Sequence, residues 1–206
     1  DIENGQKTGF FYDQRENRRI LSKFVAGGEV LDCFCFSGSF SVHAAAYGAK
    51  HVTGIDISSS AVSLAAHNAA LNNVADRCEF MEANAFDLLR AYSDAGRLFD
   101  TVILDPPAFT KSKSSVEGAV RGYKEINLRG LKMIRPGGFL VTCSCSFHMN
   151  RDLFHSIVAE AAADARRTVR EVAYLSQAKD HPSLPAAPET NYLKFLTTKQ
   201  YCCIYY

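Results

Sequence analysis

The sequence predicts an α/β domain: a mostly parallel sheet with helices on both faces. Short apolar runs rich in Val, Ile, Leu and Phe alternate with longer segments of helical spacing, the pattern of repeated strand–helix–strand units. Several of these runs end in an acid or a Gly/Ser turn, at the carboxyl strand ends where open α/β folds place ligands. The 206 residues, 47% of them hydrophobic, are ample for one core and short for two domains.

In chain order, Glu29 to Phe34 reads as the first strand and Phe40 to Tyr47 as a short helix ended by Gly48. His51 to Ile55 is the second strand, and Ser59 to Asn72 an Ala-rich helix capped by Ser58. Cys78 to Met81 is the third strand, followed by a helix from Asn84 to Tyr92 that stops near Gly96. Phe99 to Leu104 is the fourth, with a long polar loop after it, and Lys124 to Ile134 is helical. Arg135-Pro136-Gly137-Gly138 turns the chain into a fifth strand, Phe139 to Val141. Leu153, Phe154, Ile157, Val158 and Ala161 give a helix one buried face. Val169 to Leu175 and Gln200 to Tyr205 supply a late antiparallel closing pair.

A single domain over 1–206 is expected, with 1–28 as an amino-terminal lid segment and 29–206 as the core. No stretch reaches the roughly 20 apolar residues of a membrane span, and the charged start is unlike a signal peptide. A cytoplasmic location is therefore expected, with the seven cysteines as thiols. The net charge of +1 argues against wrapping nucleic acid by electrostatics alone. Two local basic clusters remain for RNA contact: Arg15, Arg18, Arg19 and Lys23, and Lys111, Lys113, Arg121 and Lys124.

The chemistry concentrates at strand ends. Asp32-Cys33-Phe34-Cys35-Phe36-Ser37-Gly38 puts an acid in the first strand and a Gly/Ser turn before a helix, so Gly38 would let the backbone approach a ligand. It is not the G-x-G-x-x-G of nicotinamide enzymes. Asp56 closes the second strand, where an acid can accept hydrogen bonds from both hydroxyls of a ribose. Asp105-Pro106-Pro107-Ala108-Phe109 follows the fourth strand and Thr142-Cys143-Ser144-Cys145-Ser146 the fifth. A stiff Pro-Pro turn beside a thiol suits a planar base attacked by a sulfur nucleophile.

Taken together, Lys7-Thr8-Gly9-Phe10-Phe11-Tyr12-Asp13-Gln14-Arg15-Glu16-Asn17-Arg18, Asp105-Pro106-Pro107-Ala108-Phe109, Arg121-Gly122-Tyr123-Lys124-Glu125-Ile126-Asn127 and Ser144-Cys145-Ser146 resemble the RlmI-type bacterial 23S rRNA (cytosine-C5)-methyltransferases. The resemblance runs from about Lys7 to Tyr192-Leu193-Lys194. It implies a Rossmann-like class I methyltransferase fold, seven strands with an antiparallel closing strand, and S-adenosylmethionine as cofactor. By the same resemblance Cys145 is the nucleophile toward C6 of cytosine and Asp105 the partner of ring nitrogen 3. Gln14 and Arg15 would form a lid over the methionine part, and Phe34, Ser37 and Gly38 would line methionine and ribose. Asp56 and Ile57 would hold the ribose, and Asn84 and Ala85 the adenine. Pro106, Pro107, Phe109, Lys111, Arg121 and Lys124 would meet an RNA substrate, 23S rRNA by the resemblance. The family's amino-terminal RNA-binding (PUA-type) domain does not appear in this sequence, so RNA binding is expected to use either such a domain upstream or the catalytic domain's own basic loops.

Three alternatives stay open on the sequence. Cys143 rivals Cys145, because residues two apart share a strand face. D-P-P enzymes also methylate base nitrogens, which needs no cysteine, and a cofactor-binding RNA adaptor with little activity would keep the same motifs. A homodimer is left open as well. No metal is expected: Cys33-x-Cys35 and Cys143-x-Cys145 would lie on strands roughly 10 Å apart, and neither they, nor Cys202-Cys203, nor the histidines show zinc-ligand spacing.

Overall fold

In the computed structural model, residues 10–110 and 115–201 are described. They form a seven-stranded sheet, β1 (Glu29–Cys33), β2 (His51–Asp56), β3 (Cys78–Glu82), β4 (Phe99–Leu104), β5 (Ile134–Ser144), β6 (Thr168–Leu175) and β7 (Lys194–Tyr201). The order is β3-β2-β1-β4-β5-β7-β6. Strands β1 to β5 pair in parallel, and β7 runs antiparallel between β5 and β6. Among the described residues, no helix is long and apolar enough to cross a membrane.

Alternation along the central strands divides the core in two. Leu31, Val102, Leu104 and Leu140 pack against α4 (Ala85–Asp94), α5 (Val116–Lys132) and α6 (Arg151–Asp164). Val30, Ile103, Val141 and Cys143 pack on the opposite face, with Phe40 and Ala44 of α2 (Ser39–Ala46) and Ala69 of α3 (Ser59–Leu71). Six-residue α1 (Arg15–Ile20) lies on the α2 side. At the end of the sheet where β1, β4 and β5 begin, Arg135 joins Glu29 at 2.8 Å and Asp100 at 2.7 Å.

Three boundaries differ from expectation. Helix α5 begins at Val116, eight residues before Lys124, because Ala119 and Tyr123 continue its buried stripe through Gly118 and Gly122. Gly122 has a packing role: a Cβ there would meet the Phe109 ring at 3.2 Å. Arg135–Gly138 lies inside β5 as a register irregularity rather than before it. The last strand starts at Lys194, not Gln200, and its buried polar residues Thr197, Thr198 and Gln200 mask its apolar pattern. Residues 202–205 of that expected strand, and Cys202-Cys203, lie outside the described residues.

Asp32 faces α2, where Ser41 Oγ donates to its Oδ2 at 2.6 Å. Burial pushes this carboxyl up to about 7, against the Ser41 bond that favours ionisation. An unfolded chain releases the proton near 3.8 and the folded chain near 7, so Asp32 costs stability as pH rises through that window. Asp32→Asn keeps an acceptor for Ser41 and cannot ionise. Relative to the parent, it is expected to gain stability as pH rises from about 4 to about 7 and to hold that gain above. Urea midpoints of both proteins at pH 5 and pH 8 check this; an equal difference at the two pH values contradicts it.

Candidate functional site

The chain leaves β1 for β2 on one side and returns to β4 on the other. That reversal opens a crevice at the carboxyl ends of β1 and β4. A cleft of about 780 Å³ occupies it, within the range of small-molecule and cofactor sites. Its walls are the loops after β1, β2, β3 and β4, Cys145 after β5, and Phe11, Asp13, Gln14 and Leu193.

The loop after β1 is shaped by unusual backbone. Phe34 has φ 64° and Phe36 φ 48°, left-handed values that cost bulky residues on the order of 1–3 kcal/mol each. Neighbouring bonds hold the loop there: Cys35 N donates to Ile55 O at 2.9 Å, and Asn68 Nδ2 to Ser37 O at 2.9 Å. The third tie is Phe36 N to Asp56 Oδ2 at 2.9 Å, while Asp56 Oδ1 accepts from Ser58 N at 3.0 Å. Two amides thus orient the Asp56 carboxylate at the cleft wall, leaving lone pairs for hydroxyl donors.

On the opposite wall, Asp105 is tied to the amino-terminal segment. Gln14 Nε2 donates to both its oxygens at 3.1 Å, and Gln14 Oε1 accepts from Asn17 Nδ2 at 2.6 Å. Burial pushes the Asp105 carboxyl up to about 7, helped by Asp13 and opposed by hydrogen bonds from Cys143 and Gln14 and by the Arg18 guanidinium. Near neutral pH a substantial share of this acid is therefore protonated and can donate. Asp13 in turn accepts from Tyr192 Oη at 2.7 Å and, through its carbonyl, from Ala178 N at 2.8 Å. Phe34, Phe86 and Phe109 form an aromatic wall, with ring centroids 5.7 to 6.4 Å apart.

Most expected site residues converge on this cleft. Gln14, Phe34, Asp56, Ile57, Asn84, Ala85, Asp105, Pro106, Pro107, Phe109 and Cys145 all line it. Five do not. Ser37 is buried behind its loop, and Gly38, at φ 73°, is closely packed, so that a Cβ would meet Ala65 Cβ at 2.8 Å. Arg15 pairs outside the cleft with Asp180 at 2.8 Å and with Glu16 at 3.2 Å. Lys124 pairs with Asp164 at 3.0 Å and Glu160 at 3.2 Å across α5 and α6, and Arg121 is exposed on α5. Lys111, with Lys113, falls outside the described residues, as does Lys7-Thr8-Gly9.

Asn84 lines the cleft and its Oδ1 also caps α4, accepting from Phe86 N at 2.9 Å and Asp87 N at 3.4 Å. Cys143 and Cys145 do not share a setting, because β5 ends at Ser144. Cys143 is fully buried against Asp105, with burial holding its thiol well above the ordinary range, whereas Cys145 is partly exposed in the cleft. No hydrophobic period marks Asp13, Asn17 and Arg18, which are buried polar residues of the amino-terminal segment.

An oriented acid, an apolar slot beside Ile57, Ala85 and Phe86, and a second, largely buried acid fit a nucleoside-bearing cofactor. Known proteins agree. A family model described as S-adenosylmethionine-dependent methyltransferase matches residues 1–196. Ribosomal RNA large subunit methyltransferase I of Shewanella frigidimarina is 46% identical over 200 residues, and that of Aeromonas hydrophila likewise 46%. The match covers 97% of this chain and 50% of each relative, so the chain spans about half the length of these curated relatives. A solved Streptococcus mutans chain described as a SAM-dependent methyltransferase superposes with a TM-score of 0.84 at 24% identity, over 95% of this chain and 51% of that one. The solved M. jannaschii tRNA m1G37 methyltransferase has a similar fold, with a TM-score of 0.64 at 18% identity, over 94% of this chain and 51% of that one. With its strand order, its cleft and a family match over nearly its whole length, the chain belongs to the S-adenosylmethionine-dependent methyltransferases.

Proposed function

We propose that this chain is the catalytic part of an enzyme that methylates carbon 5 of cytosine in large-subunit ribosomal RNA. The observation that carries the reading is the Cys145 thiol, partly exposed in the same cleft as Asp105 and the Pro106-Pro107 turn. The printed names of the curated relatives support the RNA class. When bound, S-adenosylmethionine would supply an electrophilic methyl group; Asp56 would hold its ribose hydroxyls, and Ile57, Ala85 and Phe86 its adenine, all of them lining the cleft.

The residues then have distinct tasks. Asp105, protonated, donates to ring nitrogen 3 and draws electrons from the ring, making carbon 6 more electrophilic. The Cys145 sulfur, as thiolate, bonds to carbon 6 and shifts the C5–C6 electron pair to carbon 5, which would take the methyl group as its bond to the sulfonium sulfur breaks, leaving S-adenosylhomocysteine. A base then removes the carbon 5 proton, the double bond re-forms, and the sulfur–carbon bond breaks to return the thiolate. Pro106 and Pro107 fix the turn against which the flat ring rests, and the Phe109 ring stands behind them. Cys143 has no task in this scheme, since it is closed off from the cleft behind Asp105.

Two results are expected. Asp56→Ala should weaken S-adenosylhomocysteine binding about 10- to 100-fold by isothermal titration, the loss of hydrogen bonds to a charged group worth about 1.5–3 kcal/mol. Cys145→Ala should abolish tritiated methyl transfer to unmodified ribosomal RNA while leaving that binding intact, and RNA carrying 5-fluorocytosine should trap an adduct mapped to Cys145. Near-normal turnover of Cys145→Ala would instead indicate methylation of a base nitrogen. Failure of the parent protein to transfer methyl groups over a catalytic time course would indicate a cofactor-binding RNA adaptor.

A further inference from the structure

Lys194 is an uncommon residue for its position. It opens β7 next to the antiparallel partner β5 and is only 4% exposed. Its ammonium donates to Ser146 O at 2.5 Å and to Tyr192 O at 2.6 Å. Among the described residues, no carboxylate lies in ion-pair range of it. A buried ammonium held only by carbonyls is an uncompensated charge, which needs a nearby anion to be stable.

The bond to Ser146 O places this charge one residue from Cys145, and Cys145 is the charged group acting on it. Burial pushes Lys194 down to about 8, and the negative charge of Cys145 opposes that shift. The coupling is mutual: whatever an anionic sulfur does for the ammonium, the ammonium does for the sulfur. The other groups facing Cys145 work the opposite way. Tyr123 of α5, Tyr192 before β7 and Cys143 of β5 are all raised further by its negative charge, and the carboxyls of Asp105 and Asp13 line the same cleft. Lys194 thus brings a cation to the neighbourhood of this thiol.

We propose that Lys194 is a positioning residue that keeps Cys145 in its thiolate form, through an ammonium pinned between Ser146 O and Tyr192 O. The proposal rests on the reading of Cys145 as nucleophile and adds how that nucleophile is activated. The Cys145 proton passes to solvent, and the sulfur's negative charge is balanced by an ammonium already present, so no further reactant is needed.

The test reads the thiol directly, without turnover. Iodoacetamide alkylation of Cys145 in the folded full chain, followed by peptide mass mapping from pH 5 to pH 10, gives its ionisation midpoint, with buried Cys143 as an internal reference. The parent midpoint is expected below the ordinary thiol value of about 8.5. Lys194→Met should raise it by at least about one pH unit and slow alkylation at pH 7 about tenfold, and Lys194→Arg, which keeps the charge, should restore most of the rate. Superimposable parent and Lys194→Met profiles would overturn the proposal. If Lys194→Met does not fold, the parent decides alone: a midpoint at or above the ordinary thiol value overturns it. The adduct with 5-fluorocytosine RNA is scored separately, so a lowered midpoint without an adduct would count against carbon 5 chemistry and leave the Lys194–Cys145 pairing standing.

Discussion

The cleft depends on one topological constraint, the reversal of strand order across the β1–β4 pair. The helix after β1 must leave on one face and the helix after β4 on the other, so the loops between them diverge. The space left over is the cleft. Every candidate group reaches it from a strand end or from a segment bonded to one. Asp56 projects from the end of β2, Asp105 from just beyond β4, and Cys145 from just beyond β5, where strand alternation has stopped. Backbone strain also collects at this point, in Phe34 and Phe36, and Asp56 helps to hold it.

Much of this was legible because local pattern and global fold agree here. Strands ending in acids are short apolar runs with a polar stop, and β4 matches its expected bounds from Phe99 to Leu104. Local pattern failed where a residue serves a distant contact. The expected helix began only at Lys124, yet α5 passes through Gly118 and Gly122, and Gly122 makes room for Phe109. An interior strand with buried Thr197, Thr198 and Gln200 does not look like a strand interior, so the start of β7 was hidden. The packing of Gly38 against Ala65 of α3 was equally hidden. The N-cap role of Asn84 at the first turn of α4 was not read from the sequence either.

Electrostatics was the least legible layer. Asp13, Arg18, Asp105 and Lys194 are spread along the chain, and nothing in their local sequence says that they share one neighbourhood. Their ionisation is set by burial together with neighbours from other elements. The rise of Asp105 comes first from burial and then from Asp13, and its opposition from Cys143, Gln14 and Arg18. A composition near neutrality therefore conceals a site in which charges are few, confined and strongly coupled.

The bonds of the amino-terminal segment also bear on the order in which the molecule assembles. The Gln14–Asp105 bond spans 91 residues of chain and the Tyr192–Asp13 bond 179, whereas parallel neighbours β1 and β2 pair across about two dozen. Closing loops of such length carries the largest entropic cost and gains nothing until both ends are already ordered. Most of the sheet can form from neighbouring segments, but the wall made by Phe11 to Gln14 must wait for the last third of the chain to be synthesised and folded. The cleft is therefore a late product of folding: a nascent chain can hold the five parallel strands before it can hold a cofactor.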